Sequence, residues 1–132
     1  MIVLDTHTLV WWVNGDLTER STAALAAIES ERQSGEIVIS SISSWEVAML
    51  VARQRIALSM DLAAWLKGIE AIAGVRFLPV DNEIAVKAVE LPGDFHKDPA
   101  DRIVVATARK LGAAVVTADE KIHAYPHVRT IW

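Results

Sequence analysis

Four carboxylates, Asp5, Glu46, Asp101 and Asp119, stand far apart in the chain but in matching local settings. Asp5 directly follows the apolar run Ile2-Val3-Leu4, and Asp119 follows Ala114-Val115-Val116-Thr117. Glu46 and Asp101 fall in the first turns of two helical patterns. Carboxylates brought to one point raise each other's pKa and oppose folding. A divalent cation removes that conflict, and hard oxygen donors suit Mg²⁺ or Mn²⁺. The chemistry on offer is therefore metal-assisted. Each acid also has a second reading as a helix cap. Asp5-Thr6 could cap a helix holding Leu9 to Val13, and Ser43-Ser44-Trp45-Glu46 matches a capping box. Asp98-Pro99-Ala100-Asp101 reads as an Asp cap, a Pro at the first position and an acid facing the helix dipole. Thr117-Ala118-Asp119-Glu120 could cap a short helix. Capping accounts least well for Asp5, because a lone carboxylate ending a buried strand is costly to desolvate.

The elements that must position these acids alternate. Strands are predicted at Ile2-Val3-Leu4, Ile37-Val38-Ile39, Arg76 to Val80, Ala114 to Thr117 and, more weakly, Val128 to Ile131. Pro79 inside the third suggests a sheet edge. Helical spacing covers Thr22 to Arg32, Ser44 to Gln54, Leu62 to Ile72, Glu83 to Leu91 and Pro99 to Leu111. This alternation predicts an α/β fold with a parallel sheet. Strands one and four are apolar throughout, as strands covered on both faces are. In such a fold, strand C-termini and the N-termini of the following helices share one rim, where ligands bind. All four acids are expected on that rim.

With 132 residues, 52% of them apolar, one domain over residues 1–132 is expected. The net charge of −4 does not support broad phosphate binding, so nucleic acid would have to be met by a local basic rim, a metal, or both. Lys97 and Arg102 flank Asp98-Pro99-Ala100-Asp101, and Arg102 reads as a surface ion-pair residue or, alternatively, as a contact for a nucleic-acid backbone. The absence of cysteine excludes thiol catalysis and disulfides and fits a reducing cytosol. No apolar run reaches the roughly 18 residues of a membrane helix, and the start lacks a basic leader. A cytoplasmic location is expected. His123 and His127 have a zinc-like spacing, but Pro126 interrupts the helix it would need. His7 and His96 lie near motifs, where a single histidine is more often structural. Trp11, Trp12, Trp45, Trp65 and Trp132 read as core or subunit-interface residues. P-loop, dinucleotide and nucleophile-elbow motifs are missing.

The segments Leu4-Asp5-Thr6-His7-Thr8-Leu9, Ser40 to Ala48, His96 to Ala108 and Val116-Thr117-Ala118-Asp119, taken in order, resemble PIN-domain nucleases, specifically the VapC toxins of bacterial and archaeal toxin–antitoxin pairs. The resemblance covers nearly the whole chain. It implies a three-layer α/β/α fold with sheet order 3-2-1-4-5. It also implies that Asp5, Glu46, Asp101 and Asp119 are catalytic and hold Mg²⁺ (or Mn²⁺). Thr6 and Thr117 match positions carrying a hydroxyl near the site, with local turn and cap bonds as the other reading. Asp98 is read as a helix cap that could also serve in the outer shell of the metal site. The implied activity is a metal-dependent endoribonuclease acting on transfer or ribosomal RNA, leaving 5′-phosphate and 3′-hydroxyl ends. Such a toxin blocks translation, forms a homodimer and is neutralised by a small VapB-type antitoxin. The competing readings are a PIN-fold nuclease of RNA maturation or structured DNA, and a non-catalytic binding or regulatory domain. A phosphoacceptor domain would want a second acid beside Asp5 and a lysine after the last strand, and neither appears.

Overall fold

Three apolar residues form the central strand β1, Ile2–Leu4, and all three are buried. The computed structural model describes residues Met1–Trp132. After β1 come α1 (Thr6–Val13), a short 3₁₀ turn at Leu17–Glu19, α2 (Thr22–Ser34), β2 (Ile37–Ser40), α3 (Ser41–Ala52) and α4 (Leu62–Glu70). The second half runs β3 (Val75–Leu78), α5 (Asn82–Val89), α6 (Pro99–Leu111), β4 (Ala114–Val116), α7 (Glu120–His123) and β5 (Thr130–Ile131).

All pairings are parallel, in the order β3-β2-β1-β4-β5. The register places Val3 beside both Val38 and Val115. Successive strand residues point to opposite faces. Ile2 and Leu4 therefore pack with Leu9, Ile28 and Trp65 under α1, α2 and α4, whereas Val3, Val38 and Val115 pack against Val104 and Ala108 of α6. Burying each such aliphatic side chain contributes about 1.5–3 kcal/mol. The result is a three-layer α/β/α frame whose three inner strands, β2, β1 and β4, carry no exposed residue. No helix is long and apolar enough to cross a membrane.

Several boundaries differ from the sequence reading for local reasons. β3 ends at Leu78, just before Pro79, and it is an edge strand. β5 is reduced to Thr130–Ile131. The largest difference is in α3, which starts at Ser41 rather than Ser44. Ser40, the last residue of β2, is already the cap: its hydroxyl accepts from the Ile42 amide at 3.2 Å. The capping box at Ser43–Glu46 therefore does not form, and Glu46 lies in the second turn of α3, not the first. At the other end of α6, Gly112 takes φ +65, a left-handed cap open to glycine, and closes the helix onto the Ala108 and Arg109 carbonyls.

Candidate metal centre and active site

The cap and site readings of the acids turn out to be compatible, because a carboxylate has two oxygens. Asp5 caps α1 with Oδ1, accepting from the Thr8 amide at 2.9 Å. Its Oδ2 accepts from the Thr117 hydroxyl. Asp119 caps α7, its Oδ1 accepting from the Lys121 amide at 2.9 Å. Asp98 caps α6, accepting from the Asp101 amide at 3.1 Å. Glu46 makes no cap; its carboxylate accepts from the Thr6 hydroxyl. Thr6 has a single proton, and a carboxylate can only accept, so the 2.9 Å contact between the Thr6 and Ser43 hydroxyls must be donated by Ser43. Thr117 likewise donates to Asp5 and accepts from the Asp119 amide at 3.0 Å. Both threonines are buried. Each joins an acid on one element to the end of another.

Asp5, Glu46, Asp101 and Asp119 line one cleft of about 390 Å³, and Asp98 lines it with them. Crowding leaves a clear electrostatic mark. Burial, reinforced by the charges of Asp98, Asp119, Glu46 and Asp5, pushes the Asp101 carboxyl up to about 7. Burial also raises Glu46, against the opposing hydrogen bond from Thr6. Two carboxyls that resist ionisation beside three more acids mark a site in need of positive charge.

His96 strengthens this reading. Its Nε2 is buried and lies 3.1 Å from Asp101 Oδ2, out of line for a hydrogen bond and with no other partner. Donor atoms of His96, Asp101 and Asp119 all lie within 4.8 Å of one another. An orphaned ring nitrogen among carboxylate oxygens fits a divalent metal better than it fits a packed core. The sequence favours a structural role for His96, although it stands two residues before the Asp98 cap, at the start of the segment His96 to Ala108.

Arg102 requires a correction. It does not line the cleft. Its guanidinium donates to the carbonyls of Ala88 (2.8 Å), Phe95 (2.9 Å), His96 (3.1 Å) and Val89 (3.1 Å). Being planar with five donors, it fastens the segment between α5 and α6 and has little left for a phosphate. Arg102→Ala should lower stability by on the order of 2–3 kcal/mol, because several carbonyls lose a charged donor. Thermal unfolding should show a drop of roughly 10 °C, with Lys unable to restore a fork-shaped contact. An unchanged midpoint would dismiss this role.

Lys97 is exposed and also outside the cleft. His123 is committed internally: Nε2 meets the Thr117 carbonyl at 2.6 Å and Nδ1 the Thr130 hydroxyl at 2.7 Å. Trp65 is core, but Trp45 is 57% exposed, contrary to a core role. Trp11 lines the cleft, its ring in tilted contact with those of His7 and Trp132.

The family model described as PIN domain matches residues 2–128. Ribonuclease VapC22 of Mycobacterium tuberculosis is 32% identical over 133 residues, covering 99% of this chain and 98% of that protein. VapBC2 from Rickettsia felis, solved bound to a DNA fragment from its promoter, superposes with a TM-score of 0.68 at 17% identity, covering 98% of this chain and 97% of that one. VapC20 of M. tuberculosis, described as a sarcin-ricin loop cleaving toxin, gives 0.64 at 18% identity, covering 98% and 99%. The two structures speak for the fold. The family model and the 32% relative go further, and by them this chain belongs to the PIN-domain family, in its VapC branch.

Proposed function

We propose that this chain is a metal-dependent endoribonuclease that hydrolyses RNA phosphodiester bonds, and that it is the toxin of a toxin–antitoxin pair that blocks translation. The observation that carries the reading is the meeting of Asp5, Glu46, Asp101 and Asp119 in one cleft, in a chain so similar over its length to a VapC ribonuclease. Mg²⁺ is the proposed ion, and the nearby imidazole of His96 makes Mn²⁺ equally acceptable. When bound, a divalent cation acidifies the attacking water and stabilises charge on the phosphate and the leaving 3′ oxygen.

The chain's own residues prepare that chemistry. Asp5 and Asp101 would hold the ion directly, and Glu46 and Asp119 would hold it through water. Thr117 fixes the free oxygen of Asp5, and Thr6 fixes Glu46, so neither carboxylate must be ordered when the ion arrives. The whole activity resides in one domain, residues 1–132, acting in the cytoplasm on transfer or ribosomal RNA. The chain pairs with a second copy and with a small VapB-type antitoxin. Fold neighbours solved as VapBC complexes support the antitoxin partner.

The direct test is incubation of the purified chain with total RNA and Mg²⁺, with mapping of the ends produced. Discrete internal cuts bearing 5′-phosphates are expected. Intact RNA, or cleavage of structured DNA in its place, would overturn the reading.

A further inference from the structure

The cleft has an unanswered charge problem. Five carboxylates line it, yet Lys121 is the sole lysine or arginine among its twelve lining residues. Lys121 is exposed, and its ammonium enters no ion pair and no side-chain hydrogen bond. Several cations elsewhere are committed, Lys110 to Asp81 and Glu83, Lys87 to Glu83, Arg32 to Glu29 and Arg76 to Glu36; the cations that, like Lys121, enter no ion pair, such as Lys67 and Lys97, lie outside the cleft. A lysine kept unpaired at the border of an acidic cleft does not serve to fix a carboxylate.

The backbone beneath it is well anchored. The Lys121 amide donates to Asp119 Oδ1 at 2.9 Å, so its stem starts one hydrogen bond away from an acid of the site. Ile122 is fully buried next to it. The two ring nitrogens of His123 tie the same short helix to the Thr117 carbonyl and to Thr130 on β5. A flexible four-carbon stem on a fixed base lets a compact ammonium search a small volume at the cleft mouth. An ammonium acts on phosphate as a point charge and does not require the two-pronged geometry that Arg102 has given up.

We propose that Lys121 is the substrate-positioning cation of this cleft, its ammonium receiving a phosphate oxygen of the nucleic-acid strand beside the scissile bond. The assignment rests on the nuclease reading above and adds to it the contact that Arg102 cannot make.

The test uses the full chain carrying Asp5→Asn, which should slow cutting enough to follow binding, and a labelled single-stranded RNA oligonucleotide titrated between about 50 and 200 mM KCl, the salt range over which phosphate contacts are resolved. Adding Lys121→Ala should weaken binding roughly 3- to 10-fold at all sequences tried, and make the log–log salt slope shallower by about 0.7, the share of one phosphate contact on a single strand. Lys121→Arg should keep most of the affinity and slope. In the chain with Asp5 intact, Lys121→Ala should raise KM more than it lowers kcat. If affinity and slope stay unchanged while the parent chain still cleaves RNA, Lys121 has no such role and the nuclease reading stands. The same holds if the only effect of Lys121→Ala is a changed melting temperature, which would make the lysine a mere counter-charge. If the parent chain neither binds nor cuts RNA, the nuclease reading falls and takes this contact with it.

Discussion

Asp5→Asn should leave the chain folded and slow its RNA cleavage by about 100-fold or more. The fold survives because asparagine keeps the Oδ1 acceptor for the Thr8 amide, the bond that caps α1. Its new amide group faces the Thr117 hydroxyl, which can turn and accept. Alanine would be the less informative choice, since losing a cap costs about 1 kcal/mol by itself. Activity falls because the substitution removes a negative charge from the proposed metal ligand. The ion's stabilisation of transition-state charge amounts to several kcal/mol, and each ~1.4 kcal/mol is a factor of ten in rate. Initial rates with a defined RNA, together with circular dichroism melting of the same preparation, separate the two effects. Full activity in a folded Asp5→Asn chain would remove the metal mechanism.

Chelation should be as severe. EDTA should stop cleavage, and Mg²⁺ or Mn²⁺ in excess should restore it. Cleavage that persists in EDTA would point to the histidines of the cleft, His7 and His96, in place of a metal. The metal-free chain should also carry an unusual pH signature. Asp101 is raised in the folded state to about 7 from an ordinary 3.8, and Glu46 is raised too, in both cases chiefly by burial. Between about pH 4 and 7 the folded chain thus holds protons that the unfolded chain has released. The contribution of these two groups is fully favourable below their unfolded pKa and is lost as pH rises through the folded values. The metal-free protein should therefore melt at lower temperature at pH 8 than at pH 5.5. The carboxyls that are held low, Glu31, Asp81 and Glu83, act only in more acidic solution and leave this window alone. A divalent ion takes the place of the proton, so added Mg²⁺ should raise the melting temperature more at pH 8 than at pH 5.5. A metal-induced gain that is equal at both pH values would break the link between these acids and the ion.

The rim was legible in the sequence because strand and helix boundaries are written in local chemistry. Apolar triplets mark β1 and β4, and Asp98-Pro99 marks the start of α6 to the residue. The sheet order followed only from family resemblance, since nothing local says which strand lies beside which. Glu46 was assigned to the wrong turn because two serines competed to cap α3, and Ser40 won by already sitting at the strand end. Arg102 was misread for a different reason. Its position beside Asp101 is a sequence fact, but its four carbonyl partners lie on residues 88 to 96, and only the fold brings them around it. His96 was read as structural and Lys121 was passed over for the same cause: neither belongs to a spacing rule, and each matters through neighbours that the fold supplies.

The joints between strands and helices have no slack. Only Asp5 separates β1 from α1, and nothing separates β2 from α3. At 3.6 residues per turn, one residue added inside α3 ahead of Glu46 would swing its side chain about 100° around the helix axis and carry it off Thr6. The loops away from the cleft, such as the nine residues between α3 and α4, have no comparable constraint. Insertions and deletions among descendants of this sequence should thus accumulate in those loops and spare the two junctions, so chain length there is inherited as strictly as the acids themselves.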